Sequence, residues 1–325
     1  MNMGYWDCSD FSTACGRLLN EVLKTADLID EHGDRTARYP IKLLDLGIGC
    51  CDQTIEMIKE YPSLFDAYIG LTIDHTQFDY AHQRLSSLST STPNAYEFTV
   101  QDETLTATEL EENPSESSSL LQKKLESHVG EIEGKKPKAV KFFCADAAKP
   151  EQWKPELREA IRPKLTEETM KASMSKLAKQ ITWVLALDTL YHFSPSRQLI
   201  FNHSYQKLQA SIMAFDLLLG DQATIFEQLC VCVLALLMGC PVGNFMTKDE
   251  YKTQLLKAGY EEENIEIKDI SEHVFTGLAD YIEKRDTELK RYLGRGIGAY
   301  KAFGWILRWW ARSGVVRGCI VVAKI

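Results

Sequence analysis

Two short aliphatic runs, each followed at once by a helical pattern, constrain this chain more than any other feature. "IKLLDLG" (41–47) is aliphatic and closed by glycine, as a buried strand is, and "QTIEMIKEY" (53–61) then takes up helical spacing. "AYIGLTI" (67–73) and "QFDYAHQRLSSL" (77–88) repeat the pair. Strand and helix in tight alternation build an open parallel sheet with helices on both faces. Further strands are read in "AVKFFCADA" (139–147), "ITWVLALDTLYHF" (181–193), "ASIMAFDLLL" (210–219), "NIEIKDIS" (264–271) and the terminal "GVVRGCIVVAKI" (314–325). Helices are expected over 11–32, where Phe11, Ala14, Leu18, Leu19, Val22, Leu23 and Ala26 recur at helical spacing, over 247–260, and in one long stretch at 276–312.

Two segments interrupt this rhythm. Residues 86–138 are rich in Ser, Thr, Glu and Lys and bury too little apolar surface to offset ordering entropy, so they read as a flexible insertion. Residues 151–180 read as a second, charged and helical insertion. The expected fold is therefore α/β: a doubly wound, Rossmann-like, mostly parallel sheet with helical insertions and a terminal antiparallel strand. Residues 1–325 read as one domain, with an N-terminal helix region at 1–39 and an apolar segment at 221–246.

The net charge of −9 argues against a nucleic-acid partner, whose phosphates call for a basic surface. Nine cysteines in an odd, irregular set, with no CxxC pair, read as reduced core thiols of a cytoplasmic protein. The opening "MNMGYWDCSDF" has no basic region followed by an apolar one, so no secretory signal is expected. "LCVCVLALLM" (229–238) is too short to span a bilayer but suits a core helix, a lid or a membrane-surface contact. The histidines show no metal-ligand spacing, and no metal is expected.

In a doubly wound sheet, ligands sit at the carboxyl ends of the strands. Gly47 and Gly49 follow the first strand there and let the backbone turn sharply and approach a ligand. In dinucleotide folds the ribose-binding acid comes about 20 residues later. Here Asp45 precedes the glycines, Asp52 follows them, and the second strand ends in "GLT" without an acid. Negative charge on both sides of the loop disfavours a pyrophosphate and suits a ligand with cationic and hydroxyl groups, such as S-adenosylmethionine.

At these residues the chain resembles the class I S-adenosylmethionine-dependent methyltransferases, in their small-molecule branch. "LLDLGIGCCDQT" is similar to motif I, "YIGLTIDHTQFDYAHQRL" to the second-strand segment, "FFCADA" to the third and "ALDTLYHFSPSR" to the fourth, in register over roughly 40–220. "GYWD" (4–7) resembles the N-terminal lid of that branch. The resemblance implies that Gly47 and Gly49 lie under the methionine part of the cofactor and that Asp45 fixes the loop and the amino group. Thr72 and Gln77, with Ile73 beside them, match the T-x4-Q pattern of cyclopropane fatty-acid synthases, where those residues bond the ribose. Asp146 would accept from the adenine amine and Ala147 would meet the ring. Leu187 or Asp188 would sit beside the sulfonium, Tyr5 with Trp6 would form the lid within an N-terminal lid helix region at 1–39, and the segment 221–246 would cover the substrate. Cys51 departs from the pattern, standing where many relatives keep glycine.

Methyl transfer requires a positioned nucleophile and, for some acceptors, a base. His192 is the first candidate base, since an unperturbed imidazole titrates near pH 6.5. Tyr191 is a positioning hydroxyl or pocket wall, and Asp216 an orienting carboxylate or a helix cap. The expected activity is methyl transfer from S-adenosylmethionine to a small, hydrophobic or aromatic acceptor. Two alternatives stay open: a peripheral membrane enzyme acting on a lipid or sterol, and a cofactor-binding partner protein without turnover. The sequence is silent on the acceptor, the atom methylated and the oligomeric state.

Overall fold

The computed structural model describes residues 2–37, 39–91, 96–101, 138–162 and 181–325, with backbone only for 87–91, 96–101 and 138. Eight strands among these residues form one sheet in the order β3-β4-β2-β1-β5-β6-β8-β7, with β3 (Tyr96–Gln101) at one edge. The central strands are β1 (Ile41–Leu46), β2 (Ala67–Thr72), β4 (Lys138–Cys144), β5 (Ile181–Leu187) and β6 (Ala210–Leu219). They pair in parallel. The terminal β8 (Val316–Ala323) runs antiparallel to both β6 and β7 (Ile265–Asp269).

Every residue of β1 is buried, because helices cover both faces of the sheet. Alternation sorts its side chains: Ile41 and Leu43 join one apolar layer, Leu44 and Leu46 the other. The first layer packs under α1 (Phe11–Thr25), α2 (Asp52–Glu60), α3 (His75–Ser91) and the late helices. The second packs under α4 (Pro155–Ile161), α5 (Gln198–Gln206) and α7 (Lys248–Ala258). Lys42, on the second face and 3% exposed, donates from Nζ to the carbonyls of Ala160, Ile161 and Arg162, capping the C-terminal end of α4 with a cation.

Four details differ from the sequence reading. The first helix stops at Thr25, because Asp27 takes a left-handed backbone with φ 57°. The long C-terminal helix is two, α8 (Phe275–Leu293) and α9 (Ala299–Ser313), parted where Gly294 and Gly298 turn left-handed. Within 86–138, read as a flexible insertion, α3 runs on to Ser91 and Tyr96–Gln101 form the edge strand β3, paired with β4. The rest of that insertion, and 163–180 of the second, lie outside the described residues.

The fourth difference concerns Asp216. It lies inside β6, not at its end, and even-numbered positions of β6 face α5 and α7. Its carboxylate pairs with the Arg197 guanidinium, both side chains being fully buried, and accepts from Tyr251 Oη at 3.1 Å. Arg197 also donates to the Asn244 carbonyl, and its guanidinium lies 4.7 Å from the Tyr251 ring centre. This is a buried ion pair in the core, without a solvent-facing oxygen for a substrate. Arg197→Met strands the Asp216 carboxylate and should cost about 3–5 kcal/mol in urea unfolding. The double variant Arg197→Met/Asp216→Leu should recover most of that loss. Equal losses in single and double variants would contradict the pairing.

Candidate functional site

The loop after β1 is hung from its neighbour: the amides of Gly47 and Ile48 both donate to the Leu71 carbonyl at 2.9 Å. Gly47, Gly49 and Cys51 all have positive φ, at 81°, 54° and 72°. Cys51 thus occupies a left-handed position that glycine takes without strain, with its thiol fully buried and pushed up to about 12 by desolvation. A Cβ on Gly47 would meet Thr189 Oγ1 at 2.7 Å, so only glycine lets the β1 and β5 tips come this close. Arg84 from α3 clamps the loop's far side, donating to the Cys50 carbonyl and to Asp52, both at 2.6 Å.

Asp45 lies under this loop with no solvent exposure. One oxygen accepts from Tyr68 of β2 and from Gln53 of α2 at 2.8 Å; the other is buried without a partner. Desolvation raises its pKa to about 7 against those two hydrogen bonds.

Above the loop is a cavity of about 50 Å³, lined by Gly47, Ile48, Gln53 and Leu187 and closed by Asn2 and Glu56. Its charged lining is acidic, Asp52 and Glu56. An open groove of about 510 Å³ between α1 and α2 shares Ser12, Gly16 and Glu56 with it. The cavity is closed by Asn2, not by Tyr5. Tyr5 stacks on His273 with ring centres 4.3 Å apart, and Trp6 packs against Phe11 and Tyr281, so this aromatic pair pins the N-terminal segment to α8.

The tips of β2 and β4 adjoin the loop. Thr72, 3% exposed, donates to Gln77 Oε1 at 3.2 Å, and Asp74 caps α3 through the Gln77 amide at 2.8 Å. Ile73 is 67% exposed at the tip. The Ala145 amide donates to the Thr72 carbonyl at 2.8 Å, which sets Asp146 and Ala147 directly beyond. Asp146 accepts from the Ala148 amide at 2.9 Å and pairs with Lys149 at 2.9 Å, while Ala147 is buried.

The β5 tip supplies Asp188, which the sequence reading gave as the alternative to Leu187 beside the sulfonium. Asp188 has a left-handed backbone, φ 60°. It accepts from Tyr191 Oη at 3.0 Å, and desolvation raises its pKa to about 7. Tyr191 is buried, whereas His192 is exposed, its Nδ1 3.2 Å from Cys240 Sγ. Burial of part of the ring lowers the His192 pKa. Asn244 donates to the carbonyls of Tyr191 and Phe193 at 3.1 and 2.7 Å, so the 221–246 segment is fastened to this turn. The structure therefore gathers Asp45, Gly47, Gly49, Thr72, Ile73, Gln77, Asp146, Ala147, Leu187, Tyr191 and His192 at the carboxyl edge of the sheet and leaves Asp216 in the core. Gln53, Asn2, Cys240 and Asn244 were missed. Only Gln53 carried a local signal, in the first turn of the helix after the loop. Among the described residues no group of three or more His, Cys, Asp or Glu could hold a metal ion.

No family model and no curated protein matches the sequence. Solved structures do match. Mycolic acid cyclopropane synthase CmaA1, complexed with SAH and CTAB, aligns at TM-score 0.58 and 11% identity over 100% of this chain and 90% of its own. A putative sarcosine dimethylglycine methyltransferase from Galdieria sulphuraria aligns at 0.55 and 11%, over 100% and 92%. The [4+2]-cyclase SpnF aligns at 0.51 and 13%, over 100% and 86%. The chain has the class I methyltransferase fold. At these identities the fold is what is shared, and one of the three structures is a cyclase.

Asp45 gives the fold a testable signature. Its folded pKa of about 7 lies above the unfolded value of about 3.9, so its stabilising contribution is complete below about pH 4 and is lost as pH rises through 7. Relative to Asp45→Asn, the wild type should lose up to about 1.4 kcal/mol of unfolding free energy per pH unit across that window. Parallel pH profiles for the two proteins would show that Asp45 titrates normally.

Proposed function

We propose that this protein transfers a methyl group from S-adenosylmethionine to a small, hydrophobic acceptor. The observation that carries this reading is the cavity at the β1 tip. Glycine backbone and amide side chains line it, its charges are Asp52 and Glu56, and the half-buried Asp188 directly follows Leu187, which lines it. An acidic lining favours a ligand bearing an ammonium group and disfavours a phosphate. The Asp45 oxygen that is buried without a partner gives the loop a spare acceptor beneath it.

The cofactor, when bound, supplies an electrophilic methyl carbon; the chain's task is to hold both reactants and manage a proton. Gly47, Gly49, Gln53 and Leu187 would hold the amino-acid tail. Thr72 and Gln77 would turn their hydroxyl and amide from each other to the ribose, Ile73 would cover the adenine, and Asp146 with Ala147 would meet its edge. Asp188 is the first candidate to accept a proton, with Tyr191 orienting it, because a carboxyl near pKa 7 is poised for transfer at neutral pH. His192, kept neutral by its lowered pKa, is the second. The sequence alignment of roles for Asp216 and Tyr5 is set aside in favour of the core and packing contacts described above. Nine free thiols favour a reducing compartment such as the cytoplasm.

Titration calorimetry with S-adenosylmethionine and its demethylated product tests the reading directly. Wild type should bind both, and Gly49→Arg, which fills the loop's left-handed turn, should bind neither. No heat with wild type overturns the proposal; binding without methyl transfer to any acceptor in a metabolite extract favours the non-catalytic alternative. For an acceptor that must lose a proton, kcat/KM should rise with pH through about 7, and Asp188→Asn should abolish that limb while the variant still binds the cofactor saturably in calorimetry. If Asp188→Asn keeps the limb and His192→Ala removes it, the base is His192.

A further inference from the structure

We propose that α6 (Ile225–Leu237) and the α8–α9 hairpin form one docking surface for an anionic lipid bilayer. The inference goes beyond methyl transfer and stands whether or not that reading holds.

Topology brings both pieces out at the same edge of the sheet. The segment containing α6 leaves the sheet after β6 ends at Leu219, and the hairpin leaves after β7 ends at Asp269 and returns at Val316, which pairs with Leu219. Both insertions thus emerge at the carboxyl edge, where the candidate site lies. Both also join the same apolar layer, through Val231 and Ala235 of α6 and through Leu278, Leu307 and Trp310 of the hairpin.

Their outer faces are not those of solvent-facing helices. A full capping box at Thr224 and Glu227 starts α6, yet Ile225, Phe226, Leu229, Val233, Leu236 and Leu237 are each at least half exposed along it. Large apolar patches of this kind mark interaction sites. On the hairpin, Tyr292, Tyr300 and Trp305 are 64–77% exposed. Aromatic side chains with a polar tip are the ones that settle at a membrane interface.

Charge decides the occupant. The chain carries a net charge of −9, yet residues 289–313 hold Lys290, Arg291, Arg295, Lys301, Arg308 and Arg312 and no Asp or Glu. Lys290 and Lys301 lean on Asp286, and Arg308 on Asp280 and Glu283. Arg291, Arg295 and Arg312 lie exposed. A basic, aromatic hairpin and an apolar helix that leave the same edge of the sheet are complementary to acidic headgroups over acyl chains, and the two signals together give stable anchoring where one gives only marginal binding. Among the described residues no helix is long and apolar enough to cross a membrane, so the contact is with its surface. Because Cys240 and Asn244 tie the end of this segment to His192 and Tyr191, docking would turn the candidate site toward the lipid.

Co-sedimentation of the full chain with vesicles tests this, comparing pure phosphatidylcholine with phosphatidylcholine containing phosphatidylserine, at low and high salt. Wild type should pellet with the anionic vesicles and release as salt rises. One basic residue near an anionic surface strengthens binding roughly fivefold, so Arg291→Glu/Arg295→Glu/Arg312→Glu should weaken it by about a hundredfold or more. Phe226→Asp/Leu229→Asp/Leu236→Asp should lose binding at both salt concentrations. All six positions are exposed, so thermal melts should match wild type. The proposal fails if wild type ignores both vesicle types, if either variant binds like wild type, or if the α6 variant only converts a dimer to a monomer in light scattering. That last result would assign the face to a second copy of the chain.

Discussion

The geometry of the candidate site depends on one buried carboxyl group, that of Asp45. A carboxyl with no exposure must be hydrogen-bonded or protonated, and here it draws in a tyrosine from β2 and a glutamine from α2 at once. Those two bonds set the angle at which the chain leaves β1 and enters α2. With the Gly47 and Ile48 amides committed to Leu71 and Arg84 closing the outer side, the loop cannot shift without stranding a buried polar group. The left-handed residues follow from the same constraint. A turn this tight between two fixed ends needs positive φ at Gly47, Gly49 and Cys51, and at Cys51 the side chain is accommodated only because the helix–strand packing buries it.

The strands and most helices were legible because each signal is local. A continuous aliphatic run means a strand covered on both faces, and apolar residues at helical spacing mean a helix on that cover. Asp45, Gly47 and Gly49 were legible for the same reason, since strand, acid and glycines are adjacent in the chain. Helix ends were less so: what stops α1 is the backbone of Asp27, and the "GRGIG" stretch that divides α8 from α9 lies inside an otherwise periodic segment. Arg197 was not legible at all. It sits in the polar-looking "SPSRQ", and its partners are 19 and 47 residues away. Asp216 could have been placed by strand alternation, which puts it on the face with Ile212 and Leu218, yet its position near a strand end suggested the site instead. Asp188 was visible as a strand-end acid, but its perturbed titration comes from burial, which no local pattern encodes.

These contacts form one path from core to site. Asp216 holds Arg197, Arg197 holds the Asn244 carbonyl, the Asn244 amide holds the carbonyls of Tyr191 and Phe193, and Tyr191 holds the Asp188 carboxyl. Every link but the last joins distant parts of the chain, so long-range bonds position the turn that presents Asp188, in addition to its own local bonds. A buried ion pair adds little net stability, because desolving two charges offsets their attraction, and apolar residues of the same volume stabilise a core as well. What apolar residues do not supply is a directed donor for the Asn244 carbonyl. Without it the 242–244 turn loses its anchor, and with it the amide that fixes the 190–193 segment and the end of the exposed apolar helix. The Arg197–Asp216 pair is therefore better understood as a positioning device under the site than as a contributor to folding free energy, and its place on the opposite face of the sheet is what lets it hold that turn from below without entering the cavity.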